Sequence, residues 1–478
     1  MSTLTLLEDD SRSLPLTILL TPRPYARGSG QLVVVPLLPQ LKPIHLPAEI
    51  WERILLFCLS QDSATPGATK PCTGTNGKQS PPPRMVDRDE MAQRLVRVCH
   101  DFKEIALPLL YSRIQPRSLA AFRRFHARLH QADQAWDSIR RSAYSSPGRW
   151  VQSLDITRCV KQAETRQAFR NEVDDLISRT LPLVPFLQEL RINDFQNTAA
   201  YAEDRIALSR RTWTLLKECS SLQTLKGILW RLEVEESDER FVSLLNGLPH
   251  LRSLDLRGAG FLDHTTLLDH LQDAEEPNPT PLEFPSLHTL TIISVPTCSF
   301  IRSLLITPLP SLTTLTLTPF NDLLLPLSHF MELLEVHGRT LKKLSLITPR
   351  AMGESAYQCP HLSQILHLCP ELRWLELESP FSPLPSTSAQ PLLNHPLRLL
   401  TFPRPTSSFL TGMLEPLLTT HVLSQLGVVR LRDAKWLAKA YGKAAGETGV
   451  QGEMRTWKRR LGRWRVRLVD CAWNEGDV

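Results

Sequence analysis

Hydrophobic residues along this chain follow two rhythms. In "LPAEIWERILLFCL", residues 46–59, Ile50, Ile54 and Cys58 recur at every fourth position, and Trp51, Leu55 and Leu59 form a second stripe beside them. That spacing predicts one helix, apolar over a wide arc and needing cover on more than one side. Pro47 suits its first turn, where a missing N–H costs nothing, and Glu49 sits where the helix dipole favours an acid. Residues 60–90 break the rhythm: five Pro, three Gly and seven Ser or Thr among 31 residues predict a disordered insert. Helical spacing resumes with Met91, Leu95, Val98, Phe102 and Ile105 at intervals of 4, 3, 4 and 3, and a third helix is expected from Pro108 through Leu109, Leu110 and Tyr111. Lengthening a short connection to that of the insert costs only about 1.5 kcal/mol of closure entropy, so one small helical module tolerates it.

The second rhythm is a repeat. L-x-x-L-x-L stands clearly at 251 (LRSLDL), 287 (LHTLTI), 312 (LTTLTL), 341 (LKKLSL) and 372 (LRWLEL), and in weaker form at 151, 187, 222, 397 and 423. Starts are separated by 36, 35, 29, 36, 25, 29, 31, 25 and 26 residues. The fourth and sixth positions alternate with polar ones, the signature of a half-buried strand. Helical stretches lie between copies at 263–274, 297–307, 329–338 and 360–369. A strand and a helix in each unit predict an α/β fold whose units stack, because one unit cannot bury its own apolar side. A (β/α)₈ barrel is the alternative closure of the same elements.

Composition narrows the picture little. An apolar fraction of 42% with 22% charge is ordinary for a globular protein. The 38 prolines fall mainly between apolar segments, which predicts short elements joined by stiff turns. The net charge of +6 is local: "RTWKRRLGRWRVR", residues 455–467, holds seven Lys and Arg and no acid, leaving 6 − 7 = −1 for the rest. Within it Trp457, Leu461, Trp464 and Leu468 recur at 4, 3 and 4, opposite Lys458, Arg459, Arg460, Arg463, Arg465 and Arg467. This basic amphipathic helix is expected to cap the array; a membrane-surface helix and a nuclear address are the other roles of such a pattern. No apolar run reaches the roughly 18 residues of a membrane span, and "SLPLTILL" follows acids and contains a proline, the wrong pattern for a secretory leader. Nine cysteines lie singly with no C-x-x-C pair, so reduced thiols and a cytoplasmic or nuclear location are expected.

The opening segments carry a resemblance. "LPAEIWERILLFC" followed by "RLVRVCHDFKEIALPLLYSRI" resembles the F-box, a three-helix module that docks onto the Skp-type adaptor of cullin-RING ubiquitin ligases. The match covers residues 44–115 without the insert. Its more specific positions are Leu46, Pro47, Glu49, Ile50, Val98, Cys99, Phe102, Leu110 and Tyr111, joined by Ile54 on the first stripe; the resemblance implies that these contact the adaptor. Phe102 stands where the family usually has Trp, and the insert departs from the family's spacing.

The repeats resemble leucine-rich repeats of a divergent kind over about residues 149–430. The family's ninth position, normally Asn or Cys, is matched only by Cys159; the clear copies have Ala259, Val295, Phe320, Pro349 and Pro380. The resemblance implies a horseshoe whose concave side carries positions three, five and seven of each copy. These are Asp155, Glu189, Arg191, Asp255, Arg257, the threonines Thr289, Thr291, Thr314, Thr316 and Thr318, then Lys343, Trp374, Glu376 and Glu378. Target binding is expected of Asp155, Arg191, Asp255, Arg257, Lys343, Trp374, Glu376 and Glu378, with Trp374 beside two acids the strongest anchor. The same threonines also read as plain strand formers and the charges as solubility.

Motifs for chemistry are missing. "GTNGKQ" at 74–79 lacks the Gly and the Ser or Thr of a phosphate loop, having Cys72 and Gln79 at those places. Cys359, His361, His367 and Cys369 fit successive "CP" turns better than a zinc site, and no H-E-x-x-H, G-x-S-x-G or RING spacing occurs. The expectation is a non-enzymatic protein with no cofactor and no metal. It comprises an ill-ordered arm at 1–43, an F-box-like module at 44–115, a helical linker at 116–148, a repeat solenoid at 149–430 and a basic helical cap at 431–478. Taken together the two resemblances imply a substrate receptor of an SCF-type ubiquitin ligase, serving ubiquitin-dependent degradation. Its expected partners are a Skp-type adaptor, through it a cullin, and a protein substrate, with neither nucleic acid nor membrane among them. A repeat scaffold with no ligase link is the alternative; an α/β enzyme would need a cluster of titratable groups that no motif supplies.

Overall fold

The computed structural model describes residues 47–60, 94–138, 147–161, 167–193, 206–230, 238–258, 279–293, 295, 299–318, 330–347, 362–377, 394–403, 409–436 and 449–475. The arm at 1–43, nearly all of the insert at 60–90 and the helical stretch expected at 263–274 lie outside the described residues. Two units divide the chain, residues 1–61 and 62–478.

Of the first unit the structure describes the helix Ala48–Ser60 with the residue before it. Leu55 is buried, while Ile50 and Ile54 are each 39% exposed and Phe57 is 65% exposed.

Among the described residues the second unit is α/β, built on one sheet of twelve parallel strands in chain order. These are β1 (Arg113–Ile114), β2 (Ser153–Asp155), β3 (Glu189–Arg191), β4 (Thr224–Trp230), β5 (Ser253–Gly258), β6 (Thr289–Ile293), β7 (Thr314–Leu317), β8 (Lys343–Leu346), β9 (Trp374–Leu377), β10 (Leu399–Phe402), β11 (Val428–Leu431) and β12 (Arg467–Val469). Every strand pairs only with its sequence neighbours, so among the described residues the first and last strands are sheet edges and no barrel closes.

Register explains the leucine spacing. The fourth repeat position forms one column across the sheet: Leu154, Leu190, Leu225, Leu254, Leu290, Leu315, Leu344, Leu375, Leu400, Val429 and Leu468. All are buried at 0 or 1% exposure, on the face that joins one continuous core with the helices. Parallel strands need a crossover of a dozen or more residues, which the intervals between copies supply. Helices fill those crossovers and meet in chain order: Leu119–Ser138, Gln167–Thr180, Arg210–Lys217, Asp238–Asn246, Ser299–Ile306, Phe330–His337 and Leu362–Leu368.

A backbone device repeats with the leucines. The carbonyl of the second repeat position accepts both the N–H of the same position and the N–H of the next residue in the following unit. Gln152, Gln188, Gln223, Arg252, His288, Thr313, Lys342, Arg373 and Arg398 do this in succession. Each strand therefore starts at a height fixed by the one before it, even though the loops between differ in length.

Four elements differ from the sequence expectation. The frame of the last copy is not LSQLGV at 423 but LGVVRL three residues on, because Val429 pairs with Leu400. Leu423 instead accepts the N–H of Leu426 in the turn before the strand, the place held by Leu248 and Leu309 in other units. A buried apolar residue at that turn extends the motif backwards, and L-x-x-L then fits two frames. The expected seam is split: Arg94 and Leu95 are helical, 96–98 turn, and the helix expected from Pro108 begins already at His100 and runs to Ser112 with Pro108 inside it. Cys99 is its extended N-cap and its thiol accepts the Phe102 N–H, so the 91–105 seam is interrupted before the helix begins. Burial of Ala106 and Leu109 offsets the hydrogen bond that Pro108 cannot donate. Finally, the basic amphipathic helix runs from Gly449 to Gly462 and buries Met454, Trp457 and Leu461, but Leu468 belongs to β12. Trp457 stacks on Phe409 and meets Phe402 edge-on, which ties this helix to the core.

Candidate functional site

Strand alternation leaves one face of the sheet clear of the helix-side core, and most polar residues singled out by the repeat frame stand on it. Asp155, Glu189, Arg191, Asp255, Arg257, Thr289, Thr291, Thr314, Thr316, Lys343, Trp374 and Glu376 are all partly exposed there. Thr318 departs from the expectation: it is buried, and its N–H donates to the Ile292 carbonyl. Leu46 and Glu378 lie outside the described residues.

Toward β1 the charges of this face answer one another. Asp155 accepts from the Gln115 amide at 3.0 Å and from the Thr157 hydroxyl at 2.6 Å. Arg191 pairs with Glu189 at 2.6 Å, and Arg257 with Asp255 at 3.0 Å. Each pair sits two residues apart on one strand, where alternation puts both side chains on the same side. Between these pairs Gly227 makes a bulge in β4 with φ +75°. A Cβ there would stand 2.2 Å from the Asn193 carbonyl oxygen. Asn193, which the repeat frame did not flag, bonds Gly227 and Ile206 from a buried position.

Toward β12 the pattern changes. The ladder Lys343–Trp374–Leu399–Val428 runs beside Ser345–Glu376–Thr401–Arg430. Lys343 Nζ lies 3.8 Å from the centre of the Trp374 ring. Trp473, from the turn after β12, meets Trp374 edge-on at 6.5 Å between centroids, and the Arg430 guanidinium lies 4.8 Å over the Trp473 ring. Arg430 also donates to the Cys471 carbonyl at 2.8 Å, and Ser345 donates to Glu376 at 3.2 Å. Trp374 Nε1, Thr401 Oγ1 and Arg430 Nε are buried without a protein partner. Lys343 and Arg430 make no ion pair among the described residues. Trp374, Glu376 and Lys343 were singled out from the repeat frame; Thr401, at position five of the correctly framed copy at 397, was in reach of it but not singled out, and Arg430 and Trp473 were out of reach because the last frame was misplaced.

The turn that delivers Trp473 is built on Asp470. This buried carboxylate accepts the N–H groups of Ala472 and Asn474, each at 2.8 Å, and of Trp436 at 3.1 Å. Trp473 itself takes φ +65°, a left-handed conformation uncommon outside Gly and Asn.

The residues implied as adaptor contacts fall in both units. In the first, Pro47, Glu49, Ile50 and Ile54 are exposed. In the second, Val98 is 61% exposed and Cys99 is exposed, whereas Phe102, Leu110 and Tyr111 are partly buried. The Tyr111 ring packs against Trp150 at 6.0 Å, a contact that serves the unit's own packing.

An open cleft of about 830 Å³ lies among the helices, lined by His126, His130, Gln134, Arg179 and Arg211. Burial pushes the His126 pKa down, helped by His130 and Arg179. Its two guanidiniums are already shared on Asp175, at 2.9 Å from Arg179 and 3.9 Å from Arg211. Among the described residues no three His, Cys, Asp or Glu side chains group as a metal site. Of the four residues weighed for zinc, His367 and Cys369 are described, and burial pushes the Cys369 thiol up to about 12. No described helix is long and apolar enough to cross a membrane.

The fold thus defines a class, a repeat-like α/β protein with parallel strands in chain order. No protein-family model matches the chain, and no curated protein is similar enough to count as a relative.

Proposed function

We propose that this protein is a non-enzymatic substrate receptor of an SCF-type ubiquitin ligase. In this reading the 44–115 segments act as an F-box docking a Skp-type adaptor. The strand array, read as divergent leucine-rich repeats in a horseshoe, presents its open face to a protein target, and the Gly449–Gly462 helix caps the array. The carrying observation is an order along the chain: a short helix with Ile50, Ile54 and Phe57 turned outward precedes a long sheet with one free face. Exposed large apolar side chains in a row are the ordinary mark of a docking helix.

A second reading, a repeat scaffold with no ligase link, draws support from Phe102, Leu110 and Tyr111, which are partly buried, with Tyr111 packed on Trp150 of the same unit. Co-expression of the full chain with a Skp-type adaptor, followed by size-exclusion chromatography, separates the two. The receptor reading expects a one-to-one complex, lost in Ile50→Asp/Ile54→Asp without change in the unfolding midpoint. Loss of folding in that variant, or elution of the wild-type chain alone, favours the scaffold.

A further inference from the structure

The β12 end of the open face holds more unmet hydrogen-bonding capacity than any other described part of the sheet. Thr401 pairs in register with Glu376 on one side and Arg430 on the other, and Trp374 stands on the same strand as Glu376, two residues before it. Neighbouring strands are roughly 4.8 Å apart, so the three side chains share one small patch. Their unpartnered atoms are two obligate donors, the Trp374 indole N–H and the Arg430 Nε–H, and the Thr401 hydroxyl. Buried polar atoms are costly to leave without partners. Three such atoms in one patch of an otherwise well-paired sheet mark a place shaped for an acceptor.

The charges say which acceptor. Each indole already carries a cation, Lys343 on Trp374 and Arg430 on Trp473, so a cationic ligand would meet like charge in this patch. Neither cation has an acidic partner among the described residues. Arg430 spends one terminal nitrogen on the Cys471 carbonyl and leaves its buried Nε–H unmet. Glu376 one strand away repels a dianion more strongly than a monoanion. A carboxylate fits: one negative charge, two acceptor oxygens, and three donors around it.

We propose that Trp374, Thr401 and Arg430 form a carboxylate-binding site on the open face, closed in this structure by Trp473. The donors are reached when the Trp473 ring swings away: it touches both Trp374 and Arg430 and is itself 43% exposed. This deepens the receptor reading by naming the chemistry of the target, a carboxylate from a chain terminus or from an acidic side chain.

The test uses indole N–H signals of the full chain labelled with ¹⁵N-tryptophan; the chain has ten tryptophans. Sodium acetate, at the millimolar levels expected for a single carboxylate, should move one signal to saturation. That signal should be the one missing in Trp374→Phe, and sodium chloride at equal ionic strength should not move it. Trp473→Ala should tighten acetate several-fold by removing the competing ring. Thr401→Val should weaken binding, and Arg430→Met should abolish saturation. N-acetylglycine and N-acetylglutamate α-amide then distinguish a chain terminus from a side chain as the source. A signal that saturates in neither the wild type nor Trp473→Ala overturns the proposal, as does an unchanged response in Arg430→Met or a response to inorganic phosphate alone. No adaptor enters this measurement, so its failure and the failure of the ligase reading are told apart.

Discussion

The two ends of the open face use the same strands and similar residues to opposite effect. From β2 to β5 each acid has a basic or hydroxyl neighbour of its own, two residues along the strand or across the turn that follows. From β8 to β11 the cations rest on indole rings and three buried polar atoms have no partner. The lesson concerns how a charged residue on a repeat face is read. A charge whose partner is on its own strand contributes solubility and a little stability. One whose partner must come from elsewhere marks a place for a ligand. By this criterion Asp155, Arg191, Asp255 and Arg257 lose weight as target contacts, and Lys343, Trp374 and Glu376 keep it.

The sharpest way to break the comparison is to move from the open face to the core on one strand pair. Leu344→Ala removes a fully buried side chain from the central column and should cost about 2–5 kcal/mol, read from the urea midpoint. Thr316→Ala on the open face should change the same midpoint by less than about 0.5 kcal/mol. Gly227→Ala comes next. It imposes a left-handed alanine against the Asn193 carbonyl and should cost about 1–3 kcal/mol, with Asn193→Ala losing part of the same bulge. Smaller still is the Asp255–Arg257 pair. A double-mutant cycle should give a coupling below about 1 kcal/mol that shrinks with added salt, as a self-contained surface pair requires. Coupling well above that would reassign the β5 end to function.

The smallest effect is a pH slope from two buried histidines away from this face. Burial pushes the pKa values of His337 and His395 down from the ordinary value. His337 donates to the Leu304 carbonyl at 2.9 Å; His395 donates to the Cys369 carbonyl at 3.0 Å, while its Nδ1 accepts the Leu397 N–H at 3.2 Å. Protonation would replace that acceptor with a donor. With the folded pKa below the unfolded one, the unfolded chain binds more protons between the two values. Stability is therefore full above roughly pH 6.5 and declines as pH falls toward the folded pKa. Urea midpoints at neutral and mildly acid pH should show this decline, and a flatter profile in His395→Gln would trace part of it to this residue.

The repeat frame was legible because burial enforces it: a leucine at the first, fourth or sixth position that moved by one residue would face water. Strands β1 and β12 were missed for the same reason turned around, since neither carries a full copy of the motif. The helix expected from Pro108 begins instead at His100, although proline disfavours a helix interior. The packing of Ala106 and Leu109 outweighed that local preference. Trp374 could be singled out by its place in the frame. Thr401, the fifth residue of the copy at 397, was within reach of the same frame, whereas Trp473 and Arg430 were not, because their place depends on strand register and on the Asp470 turn.

The leucine spacing alone determined that this chain stacks strands and helices in order along one core, since periodic burial is a property each unit carries in its own residues. Only the tertiary structure decided which polar residues have partners. Whether a donor is answered depends on neighbours from other strands, and those neighbours are chosen by register and by a turn at the far end of the sheet.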